Sequence, residues 1–515
     1  MYRALGLVLA VMLVAACGGD SSDQPAQMSP AAGTTGGTTA PKGELRLAFG
    51  IHMPGTLDST KDGFTLVFTG MGETLTRLTR DNKAEPWLAE RVSQIDPTTW
   101  RVTLRSNARF HDGTPVTAAD VVASFRRNWE TQPAASGYIP KETEVTAIDE
   151  RTVEFKTPRP IGAFENNLAA FQFVVHKPGG DRSIMTGPYR PVRLVVDSEV
   201  TLEAFPEHWG GPPPIATIVI KSVPDANARA LALQSGDVDM VFLMPPEMAK
   251  GLSDDFERAI IPSTRIQSVI FNHQRLPFSD RAVREAFALG VDRDALNRVT
   301  LEGAGAPAIN LFPQGMGIDV VPAQATDVNK AKQLLDNAGW WAGPDGVRVK
   351  DGKRLSFTLF SYPGRAELTP MAVQIQSQLK NLGFAIEVEQ IPFSALDSNY
   401  FKTGDWDASM YSVGTLPTGD PLYMFNQNIV TGAPGNIGGY SSPQLDAIVE
   451  QMRVEIDPTK RNALVRQAQE IVKVDVPMAY LVAAPVTYVY KKGKVKGFVP
   501  NPNDQYFIDS SISVD

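Results

Sequence analysis

The residues able to do covalent or metal chemistry are few and scattered. Five histidines stand at 52, 111, 176, 208 and 273, none within five residues of another, so no helical or hairpin pair of metal ligands is visible. Cys17 is the only cysteine, which excludes an internal disulfide, a thiolate zinc site and an iron–sulfur cluster together. No Gly-x-Ser-x-Gly elbow and no His-Glu-x-x-His occurs. The nearest approach to a phosphate-binding loop, Gly346 to Gly352-Lys353-Arg354, has the wrong spacing and lacks the hydroxyl residue. The one His-Asp neighbour pair lies in His111-Asp112-Gly113-Thr114-Pro115. This reads as a turn, in which Asp bonds its own backbone and Gly takes positive φ, and not as a metal site. An enzyme on this chain would need a nucleophile–base pair or a ligand cluster assembled from distant positions, and no motif points to one, so the sequence reads as a non-enzyme without cofactor or metal. Recognition without covalent change is the chemistry expected.

The framework around these residues starts with an address. Arg3 supplies a positive n-region, and residues 4 to 16 are an apolar run too short to span a bilayer, which reads as a signal peptide over 1–16. Val14-Ala15-Ala16-Cys17 resembles the bacterial lipobox, with cleavage before a cysteine that then carries lipid. The alternative is an ordinary secretory signal cut after an Ala-x-Ala-like site, but the chain's lone cysteine falls at the position lipidation needs. After Cys17 the chain is rich in Gly, Thr, Ser and Pro, with Met28 as its only large aliphatic residue, so it reads as a tether up to residue 42. A coil of that length has an end-to-end distance of about 27 Å.

The remainder is ordinary globular sequence. The 515 residues are 43% hydrophobic and 21% charged, enough for several packed units. Forty-nine Lys and Arg against 57 Asp and Glu give a net charge of −8 with no basic block, which argues against nucleic-acid binding. Alternating runs at 44–49, 99–105 and 152–156 predict strands, and Thr117 with Asp120 forms a capping box that starts a helix. Farther on, helical spacing at 280–289, 328–338, 369–382, 442–455 and 458–474 alternates with strand-like runs at 355–360, 384–390 and 408–413. That order predicts α/β layering. No internal repeat is present.

Several phrases then carry a resemblance. They are Trp87-Leu88-Ala89-Glu90; Arg109-Phe110-His111-Asp112-Gly113-Thr114-Pro115-Val116-Thr117-Ala118-Ala119-Asp120; Thr186-Gly187-Pro188-Tyr189 with His208-Trp209-Gly210-Gly211; and Ala232-Leu233-Gln234-Ser235-Gly236-Asp237-Val238-Asp239. Phe278-Ser279-Asp280-Arg281-Ala282-Val283-Arg284-Glu285-Ala286 and Ala338-Gly339-Trp340 come next in order. From Gly43 to the C-terminus the chain resembles the family 5 solute-binding proteins of ABC transporters, the group with dipeptide-, oligopeptide- and nickel-binding members. The resemblance implies an α/β, two-lobed periplasmic-binding-protein type II fold (cluster C) with an extra subdomain in lobe one. Lobe one is expected at 43–70, 186–267 and 483–515, the extra subdomain at 71–185 and lobe two at 268–482. It also implies hinge closure on a ligand, favoured only through contacts with both lobes.

The implied function is capture of a small polar solute, a short peptide or amino-acid derivative, for delivery to an ABC permease and its ATPase subunits; the alternative is nickel or a metal–metallophore complex. The implied setting is the outer face of the cytoplasmic membrane or the periplasm, as a monomer held through lipid on Cys17. The family's pocket maps onto His52, Met53, Tyr138, Phe171, Gln172, Asn272, Tyr411, Thr415, Asp420 and Tyr423. Ala170 to Phe173 is expected as a strand with Gln172 facing opposite to its neighbours. Tyr411 can be core or pocket, and Asp420 before Pro421 can be a helix cap or a ligand contact. Peptide-binding members hold the peptide's ammonium with an Asp shortly before this Asp-Pro pair. Here Gly414-Thr415-Leu416-Pro417-Thr418-Gly419 offers no carboxylate, and a buried ammonium needs one. The nickel branch's histidine is also missing from 411–435.

Overall fold

In the computed structural model, residues 40–50, 55–179, 184–503 and 505–515 are described. The expected signal peptide, Cys17 and nearly all of the tether lie outside them, as do His52 and Met53. The described residues form one compact unit. No helix among the described residues is long and apolar enough to cross a membrane.

A single mixed sheet of eleven strands runs through both lobes. Its second-lobe end is parallel, with Ser356–Ser361 between Ala385–Gln390 and Ala408–Gly414. At the first-lobe end Lys42–Phe49 lies parallel to both Ile215–Ser222 and Met240–Phe242. Two long antiparallel strands, Phe256–Phe271 and Met478–Lys491, join the ends. Each changes core along its length. Val269, Phe271, Leu481 and Val482 pack in the second lobe, whereas Val486 and Tyr488 pack with Phe49, Phe68 and Phe242 in the first. At the changeover Pro262 stands directly opposite Pro485, and the register then shifts before Ile266. Neither proline has an N–H to donate, so the ladder is weakest where the chain passes between lobes.

A separate four-stranded antiparallel sheet, in the order Ala89–Asp96, Thr99–Leu104, Thr152–Lys156, Glu144–Ala147, carries helix Ala118–Thr131. The helix begins at the expected capping box: Thr117 Oγ1 accepts the Asp120 N–H and the Asp120 carboxylate accepts the Thr117 N–H. Phe125 of the helix packs down on Phe155 and Phe173, with Phe164 in the same core. The predicted strands and helices of the second half appear within a residue or two at each end, the helices as Arg281–Gly290, Val328–Asn337, Leu368–Lys380, Pro443–Val454 and Pro458–Asp475.

One local expectation is corrected. Residues 171–173 form a 3₁₀ turn, not a strand. A three-residue apolar–polar–apolar run cannot be told from a helical turn by periodicity alone. The turn sends its neighbours in different directions: Phe171 meets Phe64 of the first lobe edge to face at 5.8 Å, while Phe173 stacks on Phe125 at 4.6 Å inside the subdomain.

Candidate functional site

The site builds from the turn after the subdomain helix. The 3₁₀ turn Pro133–Gly137 delivers Tyr138 to the junction with the second lobe, where its backbone carbonyl accepts from Asn167 Nδ2 at 2.9 Å. There the Tyr138 ring stacks on Tyr423, centroids 5.9 Å apart and planes 17° from parallel. Tyr423 is placed by helix Leu422–Asn428, which begins just after Asp420-Pro421. Gln172 Nε2 lies 3.5 Å from the Tyr138 hydroxyl, and Gln172 Oε1 is buried without a partner. Half-buried Tyr411, on Ala408–Gly414, packs against the second-lobe core that also holds Leu422 and Phe425 of the helix carrying Tyr423.

Burial dominates the electrostatics here. It pushes Tyr411 up to about 12 and Tyr138 well above the ordinary phenol range, so both stay neutral hydroxyls at any physiological pH. Tyr362 and Tyr423 are raised for the same reason. The Arg265 guanidinium opposes the rise at Tyr362, Tyr411 and Tyr423, and its Nη1 lies 3.4 Å from Ser412 O. Arg265 and Tyr362 carried no local sequence signal, because only the pairing of Phe256–Phe271 with Ala408–Gly414 sets Arg265 opposite Gly414.

Of the sequence-predicted residues, the structure thus brings Tyr138, Gln172, Tyr411 and Tyr423 together. Phe171 turns toward the first-lobe core. Asn272, Thr415 and Asp420 spend their polar atoms on the chain itself. Asn272 Nδ2 donates to Gly404 O and Trp406 O at 3.1 and 2.9 Å, and its Oδ1 accepts from the Gln274 N–H. Thr415 Oγ1 donates to Thr264 O at 2.7 Å. Asp420 accepts the Leu422 N–H at 2.7 Å, a capping bond, and both its oxygens face the Arg461 guanidinium in a buried ion pair.

The lobes and subdomain touch directly around this junction. Asn166 Nδ2 donates to Thr418 O at 2.7 Å, Gln505 Nε2 to Pro417 O at 2.6 Å, and the Gly162 N–H to Arg453 O at 3.1 Å. Lys250 also pairs with Glu302 at 3.3 Å. The cavity beside the Tyr138–Tyr423 stack has a volume of about 290 Å³ and opens between Pro133–Pro140 and Arg159–Ile161 of the subdomain and 422–434 with Arg453 of the second lobe. Its walls are mostly proline, aliphatic and amide side chains, a lining suited to binding.

His111, His208 and His273 are committed to the fold. Burial depresses His111 and His273 to about 4, and each ring nitrogen Nε2 meets a backbone carbonyl, Gly187 O and Pro477 O respectively. His208 Nε2 faces buried Glu73, which also accepts from Trp209. The His111 loop is the expected turn: Asp112 Oδ1 accepts the Thr114 N–H and Gly113 has φ of +82°. Among the described residues no group of three or more His, Cys, Asp or Glu is placed to hold a metal ion.

Comparison with known proteins agrees with this architecture. Protein XP55 of Streptomyces lividans is 30% identical over 458 residues, 83% of this chain and 81% of its own. The crystal structure of NikA from Staphylococcus aureus in complex with Ni(L-His)2 superposes with a TM-score of 0.81 at 23% identity, covering 92% of this chain and all of that one. The oligopeptide-binding protein AppA of Bacillus subtilis, solved with a nonapeptide, gives a TM-score of 0.78 at 21% identity over 92% of this chain and 99% of its own. Residues 83–435 match the family described as bacterial extracellular solute-binding proteins, family 5 Middle. With its two lobes, its added subdomain and an aromatic junction between them, the chain belongs to the bacterial extracellular solute-binding proteins of family 5.

Proposed function

We propose that this chain captures a short peptide or amino-acid derivative between its lobes and delivers it to an ABC permease and its ATPase subunits. It works as a monomer tethered outside the cytoplasmic membrane by lipid on Cys17. The observation that carries the reading is the junction of Tyr138, Gln172, Tyr411 and Tyr423, which draws on the subdomain and the second lobe at once. A ligand contacting both favours closure, and neutral phenols and amides hold peptide groups without fixing a sequence. AppA, of the same fold, was solved with a nonapeptide.

A second reading is a metal carried inside an organic chelator. NikA, solved with Ni(L-His)2, shares the fold. No described cluster of protein ligands is placed to take a bare ion, so on this reading the chelator supplies the donors and the protein holds its carboxylates.

Native mass spectrometry of the chain purified from its own cells tests both. Retained masses that fragment as peptides support the first reading. A single organic adduct with a nickel, cobalt or zinc isotope pattern replaces it with the second. Delipidated and native masses of the same preparation test the anchor at Cys17.

A further inference from the structure

The 290 Å³ chamber beside the Tyr138–Tyr423 stack has a charge pattern that selects among ligands. Of its lining residues only Arg159 and Arg453 are charged, and both are cations. Glu450 stands between them: it pairs with Arg159 and lies 3.1 Å from Arg453 Nη1, which leaves the trio with one net positive charge. Arg453 is also oriented, because its Nε donates to Asn426 Oδ1 at 2.8 Å. The Arg159 and Arg453 side chains remain 41% and 33% exposed, so both keep water that an incoming anion can displace. The prolines at 133, 140, 160 and 434 stiffen the walls.

We infer that this chamber is an anion subsite, which takes the carboxylate end of an elongated ligand whose remaining part passes the Tyr138–Tyr423 stack. The inference rests on the proposed solute-binding function and deepens it. Guanidinium groups contributed by two bodies suit a carboxylate, since each can offer paired N–H donors to one oxygen pair. An ammonium group is disfavoured here, because among the described residues no carboxylate lines the chamber and the Arg159–Glu450–Arg453 trio beside it keeps one net positive charge. Arg159 belongs to the subdomain and Arg453 to the second lobe, so an anion held by both also bridges the two parts that must stay together on closure.

The test uses the full chain purified from its own cells, freed of retained ligand, and isothermal titration with four forms of tetra-alanine. They carry a free or acetylated N-terminus and a free or amidated C-terminus. Acetyl-tetra-alanine with a free carboxylate is expected to bind at least tenfold more tightly than its amide, and that ratio is expected to fall to threefold or less in Arg159→Gln and Arg453→Gln. Glu450→Gln, which removes the counter-charge, is expected to raise the ratio severalfold, a gain that misfolding does not produce. Equal binding of acid and amide by the unmodified chain, or a ratio unchanged in both arginine variants, overturns the subsite while leaving the function standing. If none of the four forms binds, the peptide reading itself fails, and the subsite with it.

Discussion

Asp420→Asn separates a structural carboxylate from a ligand-binding one. Asp420 is 4% exposed, and its two oxygens face Arg461, itself 8% exposed. Asparagine keeps an Oδ1 for the Leu422 N–H, so the capping bond at 2.7 Å survives and the helix carrying Tyr423 keeps its start. What is lost is the charge that balances a buried guanidinium, whose Nε donates to Met452 O at 3.3 Å. Removing one partner of a buried ion pair costs about 3–5 kcal/mol, far more than the ~1 kcal/mol of a cap. Urea unfolding is the assay, with the denaturant slope unchanged and the midpoint lowered. Arg461→Met should destabilise comparably. The double variant should lose at least about 1 kcal/mol less than the two losses added, as expected for coupled neighbours. A loss below about 1 kcal/mol in Asp420→Asn, or strict additivity in the cycle, would refute the buried pair. A large loss of ligand affinity with stability unchanged would return Asp420 to the ligand.

Two further outcomes are expected from the geometry. A Cβ at Gly162 would lie 2.0 Å from Glu455 O and 2.9 Å from Arg461 Nε, so Gly162→Ala should pry the subdomain from the second lobe. Small-angle scattering should show a larger radius of gyration and titration a weaker ligand; an unchanged radius and affinity would mean that this contact does not hold the closed form. His111 and His273 have folded pKa values near 4, below the unfolded value of about 6.5, so their neutral forms stabilise the fold above pH 6.5 and that contribution is lost as pH falls toward 4. Each contributes roughly 3 kcal/mol at most. The decline in stability between pH 6.5 and 4 should flatten in His111→Asn and His273→Asn, and a curve as steep as the parent's would sink the assignment.

Local signals in the chain were accurate where the physics is local. The Thr117–Asp120 capping box expected from the sequence joins a side chain to a backbone N–H three residues on, and the structure adds caps of the same local kind at Asp280, Asp292, Asp327 and Asp457, which the sequence analysis does not single out. Such bonds need no tertiary partner, so residue type and spacing suffice. The turn at 171–173 escaped because three residues carry too little periodicity, and its direction depends on two cores built from other parts of the chain.

Residue types and their spacing settled the element types outside 171–173, the family phrases, the poverty of catalytic motifs and the missing carboxylate in 414–419. They did not settle what the polar residues of the junction do. Asp420 reads first as a helix cap and second as a ligand contact, and nothing along the chain announces the ion pair it makes once Arg461, 41 positions later, is folded against it. Arg159 and Arg453 carry no motif and meet through Glu450 only when the subdomain docks on the second lobe. The stack of Tyr138 on Tyr423 arises in the same way. Helix caps are decided by neighbours along the chain, whereas a binding junction between lobes is decided by which distant surfaces bury each other, and that is fixed only by the packed cores behind them.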